Sequence, residues 1–325
     1  EQCFALIQQQ DTNGLTPFTL SIKHNPDFIE PLLKGLSPEQ CFALLEQKNS
    51  DGNTTLMLAA RYHPEIIEPL LKRLSPEQCF ALLQQQNNNG NTALMLAARY
   101  NKKSIEPLLK RLPLEQGFAL LQQQNNNGST ALILAVRYDK NPIEPLLKGL
   151  SPRECFALLQ QKNKYGLMAL SVATQYNPEC IEPLLCSVAD DDFSALLTVH
   201  SDGVLNGLMS ATLIQNIKNR MLSNTDVPNN ALKEALADRV IELIPRPNNT
   251  SLFGLFSSNK EARRQHKISA ITKFCLGQKL ERLDIATLNQ GKIGRIFRQH
   301  LSNDELAALT ERNLSPNVAH LNLSR

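Results

Sequence analysis

The chain contains no tryptophan, and only 5% of its 325 residues are aromatic. With Leu, Ala, Gln and Asn abundant instead, that scarcity disfavours a β-sandwich and favours packed helices. No apolar run approaches the roughly 18 residues that cross a bilayer. The opening "EQCFALIQQQ" lacks the basic and apolar regions of a signal peptide. CxxC pairs and Gly-rich phosphate loops are missing as well. What is present is 42% hydrophobic and 20% charged residues, the composition of a soluble globular protein long enough for two folded units. The chain begins on Glu1 in mid-phrase rather than on Met, which points to a piece of a longer protein.

The dominant positive feature is repetition. Gly14, Gly52, Gly90, Gly128 and Gly166 are spaced by 38 residues, as are Glu30, Glu68, Glu106, Glu144 and Glu182 in the phrase "IEPLL". Five copies at one period over residues 1–186 predict a solenoid. In one copy, "DGNTTLMLAARY" (51–62) puts Leu56, Ala59 and Ala60 on one helix face, where small side chains let a neighbouring helix approach. In "PEIIEPLLKRL" (64–74), Pro64 suits a first helical turn and Pro69 bends or restarts the helix. A third helix follows in "SPEQCFALLQQ" (75–85), with Ser75 as N-cap and Gln78 closing a capping box. Ser151 and Glu154 repeat that logic, whereas "LPLEQGF" has Leu112 in place of the capping Ser and should start its helix less firmly.

The turn-and-first-helix phrase, a Gly followed by T-x-L-x-x-A-A, resembles the ankyrin signature, and the next segment resembles the second ankyrin helix. The departures are an extra helix per unit and Met57, Met95 or Ile133 where the family commonly has His. The resemblance implies a curved stack presenting turn tips and first helices on a concave face that binds protein partners, without chemistry of its own. The expected fold is therefore all-α: an ankyrin-like solenoid of five 38-residue units with three helices each (1–186), then a compact all-helical C-terminal domain (187–325). The Gln/Asn-rich tone, the expanded repeat and the basic tail look like ankyrin-repeat effectors that intracellular bacterial pathogens inject through a type IV secretion machine. That likeness implies a host-protein target and action in the host cytosol.

Seven cysteines, at 3, 41, 79, 155, 180, 186 and 275, read as reduced, buried thiols. Gly117 stands where other copies have Cys41, Cys79 and Cys155, and no His recurs with them, so neither a metal site nor a cofactor is expected. Copy-to-copy variation picks out the surface: Asp51 and Tyr165 precede the turn glycine, and Arg61, Arg99 and Arg137 form a basic row, each followed by Tyr62, Tyr100 or Tyr138. One reading is a partner-binding row that meets an acidic strip. The other is that Tyr closes each first helix while Arg serves its C-terminal dipole.

Beyond residue 186 the period vanishes; helical patterns run over 202–222, 231–244, 260–280 and 304–314, and "PRPNNTSLFGLFSSN" (245–259) reads as a loop. Residues 260–300 hold ten Lys and Arg against Glu261, Glu281 and Asp284. Arg263, Arg264, Lys267, Arg295 and Arg298 are the candidates for an anionic membrane face or phosphate groups. Nucleic acid is not expected, because no aromatic interleaving accompanies the charge. Cys275, His266, His300 and Asp284 supply the residue types of a thiol hydrolase, and Ser201, His200 and Asp202 those of a serine one, but neither set has a framing motif. The sequence predicts a non-enzymatic scaffold and leaves the oligomeric state open.

Overall fold

The computed structural model describes residues 2–138, 143–200, 211–223, 229–243, 258–302 and 304–305. They divide into two compact units, Glu1–Pro183 and Leu184–Arg325. Among the described residues the regular elements are helical, with one isolated bridge between Lys48 and Thr54.

Each repeat begins with a turn that its own side chains stabilise. Asn87 Oδ1 accepts from the amides of Asn89 (3.0 Å) and Asn91 (2.9 Å), folding the chain back on itself. Gly90 then takes φ +74°, and a Cβ there would stand 2.6 Å from the amide nitrogen of Asn126 in the next repeat. Glycine is thus required both for its backbone angle and for the approach of the neighbouring turn.

Thr54 and Thr92 accept from the amides of Met57 and Met95 and cap the first helices Thr55–Tyr62 and Ala93–Tyr100. The last copy has Met168 at that place and no side-chain cap. First helices of successive repeats pack directly on one another. A single apolar stripe was expected, but all of Thr55–Ala60 is buried, so this helix is enclosed on every side. Only its C-terminal end, Arg61 and Tyr62, reaches solvent.

The second segment restarts before its proline. A 3₁₀ turn, Pro64–Ile66, leads into the helix Ile67–Lys72, whose first turn contains Pro69. An amide there has no intrahelical acceptor, so the missing N–H costs nothing. The third helix, Pro76–Gln84, starts with the expected box: the Ser75 amide donates to Gln78 Oε1 (3.0 Å) and the Gln78 amide to Ser75 Oγ (3.2 Å). In the weak copy the N-cap is Pro113, not Leu112, and it makes no side-chain cap. Its helix, Leu114–Gln122, forms nonetheless, because Leu120 and Leu121 are buried like their counterparts in other copies.

The second unit holds the helices Asp190–His200, Ala211–Leu222, Asn230–Leu243, Ser258–Cys275, Arg282–Leu288 and Gly291–His300 among its described residues. Its core includes Phe193, Leu236, Ile271 and Phe297, with Phe274 edge-on to Phe297 at 4.8 Å. Arg220 fastens one corner. It donates to Asp190 Oδ1 (2.7 Å) and to the carbonyls of Leu185 (3.2 Å) and Val188 (2.9 Å), and lies against the Phe193 ring. Ser258 and Asn259, expected in a loop over 245–259, are helical. The rest of that loop and most of the helix expected over 304–314 lie outside the described residues.

Candidate interaction surface

At the C-terminal end of the first helices, arginine and tyrosine alternate from repeat to repeat. The Arg61 guanidinium carbon lies 5.0 Å from the ring centroid of Tyr62 and 4.2 Å from that of Tyr100. Arg99 lies 4.9 Å from Tyr100 and 4.5 Å from Tyr138, and Arg137 lies 5.4 Å from Tyr138 and 5.1 Å from Tyr176. Each guanidinium therefore meets its own ring and the next repeat's, and each middle ring serves two cations. A first-helix end that places Arg before Tyr once per 38 residues builds the whole ribbon.

The ribbon stays wet and cationic. Tyr62, Tyr100, Tyr138 and Tyr176 are 39 to 48% exposed, and no carboxylate pairs with Arg61, Arg99 or Arg137 among the described residues. Lys102 and Lys103, both exposed, follow Tyr100 after Asn101. The nearby Glu65 is occupied by His63, whose Nδ1 is 2.8 Å away. Two acids elsewhere in the repeats have lysine partners from the next repeat, Glu68 with Lys110 (3.1 Å) and Glu106 with Lys148 (3.2 Å).

Asp51 and Tyr165 belong to a different edge. They sit at turn tips, a first-helix length of about 12 Å from the arginine row. Asp51 is exposed and its carbonyl accepts from the Asn88 amide at 3.1 Å, one rung of a tip-to-tip ladder. Tyr165 is 72% exposed. The eight residues read from the sequence thus form two surfaces.

Beside the tips runs an amide ladder that sequence reasoning missed. Gln10 donates to the carbonyl of Lys48 (3.2 Å), Lys48 to that of Gln86 (3.0 Å), Gln86 to that of Gln124 (3.2 Å) and Gln124 to that of Lys162 (3.3 Å). Asn87 and Asn125 donate to the Oδ1 atoms of Asn53 and Asn91 at 2.7 and 2.8 Å. The Gln/Asn-rich tone therefore serves inter-repeat bonding, and its signal was the recurrence of long polar side chains at one register.

The basic candidates of the second unit are split. Arg263 is exposed and Arg264 and Lys267 are half-buried on the helix Ser258–Cys275, while Arg295 and Arg298 are exposed on Gly291–His300. Phe274, which joins these two helices, is eleven residues or about 16 Å along its helix from Arg263. Arg295 lines a groove shared with Asp238, Arg239, Glu242 and Lys292, a surface of mixed charge. Lys273 is engaged by the buried Asp284 at 3.1 Å.

The thiol-hydrolase constellation does not assemble. His266 and Cys275 are nine residues apart on one helix, which turns them to opposite faces about 13 Å apart. Cys275 is fully buried, and desolvation pushes its thiol up to about 12. Burial likewise raises the Cys41 and Cys79 thiols. Cys186 is exposed, against the expectation that all the cysteines are buried, whereas Cys41, Cys79, Cys155, Cys180 and Cys275 are buried. Ser201 and Asp202 lie outside the described residues. Among the described residues no group of His, Cys, Asp or Glu is arranged to hold a metal, and no helix is long and apolar enough to cross a membrane.

The family model for ankyrin repeats (3 copies) matches residues 38–112 and again 72–153. No curated protein matches the chain.

Proposed function

We propose that the protein is a non-enzymatic scaffold that binds a partner protein through the Arg–Tyr ribbon. Ankyrin repeats are protein-interaction modules, and residues 38–153 carry them. One observation carries the choice of surface: three guanidiniums, each held between aromatic rings, have no carboxylate partner among the described residues. Ordering a rotamer-rich side chain at an interface costs about 0.5 to 1.5 kcal/mol, and here ring contacts already order each guanidinium. Delivery of the chain through a type IV machine into host cytosol, with a host protein as partner, completes the proposal; its support is the likeness in repeat style and composition noted above.

The test uses the full chain as bait in eukaryotic cytosol, beside a variant with Arg61, Arg99 and Arg137 all changed to Ala. A prey retained by the parent and lost by the folded variant supports the ribbon, and equal retention removes it. A reporter fusion that never reaches host cytosol from the secreting bacterium sinks the delivery. A second reading, in which exposed Arg263, Arg295 and Arg298 meet an anionic membrane, requires vesicle binding that falls steeply with salt. The mixed charge beside Arg295 counts against it.

A further inference from the structure

We infer that the ribbon is built for an extended acidic segment in the polyproline II conformation, with a carboxylate at every third residue. This rests on the ribbon being the binding surface and adds what the partner must look like. The geometry starts from the shared rings. Arg61 and Arg99 lie 4.2 and 4.9 Å from the Tyr100 centroid, and Arg99 and Arg137 lie 4.5 and 5.4 Å from that of Tyr138. Two cations bound to one ring can be no farther apart than the sum of their distances to it, so successive guanidiniums stand at most about 10 Å apart, the spacing of packed helices.

A polyproline II helix has three residues per turn and rises about 3.1 Å per residue, so side chains three apart share one face at intervals of about 9 Å. A β-strand has no equivalent fit, because residues three apart point to opposite faces and those two apart are only about 7 Å distant. Three guanidiniums thus match three carboxylates in seven residues. Each guanidinium carries a fork of N–H donors, the geometry that pairs bidentately with a carboxylate. The half-exposed tyrosines between the cations supply the aromatic ridges against which intervening prolines pack. Lys102 and Lys103 extend the positive field at the middle of the row; Glu65, which follows Arg61 at the next turn, is tied to His63, and Asp139, next to Tyr138 in sequence, lies outside the described residues.

The experiment uses the full chain and two fluorescein-labelled nonapeptides of equal charge and composition. One is Glu-Pro-Pro written three times; the other has its three Glu together, followed by six Pro. The expected result by fluorescence anisotropy is binding of the spaced peptide at least about tenfold tighter than the clustered one, as a gain of one matched Arg–carboxylate pair implies. Arg99→Lys should cost the spaced peptide about tenfold, since lysine keeps the charge and the ring contact but lacks the fork. Equal affinity for the two peptides, no binding of either, or an Arg99→Lys variant that binds the spaced peptide as the parent does overturns the inference. If prey capture still depends on the three arginines in that event, the scaffold reading stands and only the register is wrong.

Discussion

The guanidinium carbon of Arg61 stands 4.2 Å from the ring of Tyr100 in the next repeat, closer than the 5.0 Å to Tyr62 beside it in sequence. The stronger contact is therefore between repeats, and the arginine row holds the stack together as well as facing solvent. Arg99→Ala removes two such contacts, Tyr100 and Tyr138, and should cost about 1 to 2 kcal/mol. Tyr138→Leu added to it should cost less than it does alone, because the two changes share one contact. Urea unfolding of the four proteins of that cycle checks this; strict additivity would mean the rings and cations are neighbours without coupling.

Leu94 is fully buried in a first helix enclosed by its neighbours. Truncating it to Ala should cost about 2 to 5 kcal/mol. In a stack whose units are stabilised only by adjacent ones, the loss should not stay local. Hydrogen exchange should quicken in 55–62 and 131–138 as well as in 93–100. Protection lost only within the mutated helix would argue that repeats unfold independently.

The repeat was legible because its signals are local. The turn glycines, the capping serines and the run of Leu and Ala each act within a few residues, so the period and the helices could be read directly. The capping register of the middle copy could be found only by strict counting, which places Pro113, not Leu112, on the Ser75 position. Arg61 with Tyr100 and Gln86 with Gln124 were out of reach, since residues nearly forty apart become neighbours only when units are stacked in space. The second unit has no period, and the Arg220 corner gathers Leu185, Val188 and Asp190 by tertiary folding alone.

Gly117 offers a stabilising change. It lies inside the helix Leu114–Gln122, where glycine costs about 1 kcal/mol relative to Ala. A Cβ there would meet only Leu109 Cδ2 at 3.9 Å, an ordinary contact. Gly117→Ala should raise the unfolding free energy by about 0.5 to 1 kcal/mol. A destabilised variant would show that the site is tighter than its backbone suggests.

Gly90 and Gly166 have nearly the same backbone, φ +74° and +75°, but different surroundings. A Cβ on Gly90 would press into Asn126, while one on Gly166 would meet nothing within 4 Å. Gly166→Ala should cost only the left-handed strain of about 1 to 2 kcal/mol. Gly90→Ala should cost clearly more, because the tip ladder to Asn126 must also give way. Equal losses in parallel thermal melts would show that the turns do not need their close approach.

The three boxed third helices differ in one atom type at the closing residue, which makes an internal control for pH. Gln40 and Gln78 close theirs with a neutral amide, whereas Glu154 receives both the Ser151 amide and hydroxyl at 2.7 Å. Those two donors hold the Glu154 carboxyl below its usual range, the hydroxyl contributing most. A carboxylate whose folded pKa is depressed contributes stability above the unfolded value of about 4.3 and loses it as the pH falls through the lower folded value. Glu154→Gln keeps an acceptor but cannot titrate. The variant should melt close to the parent at pH 7, and between about pH 4.5 and 3 its melting temperature should fall by less than the parent's. Identical acid profiles would mean that protonating Glu154 does not weaken the cap.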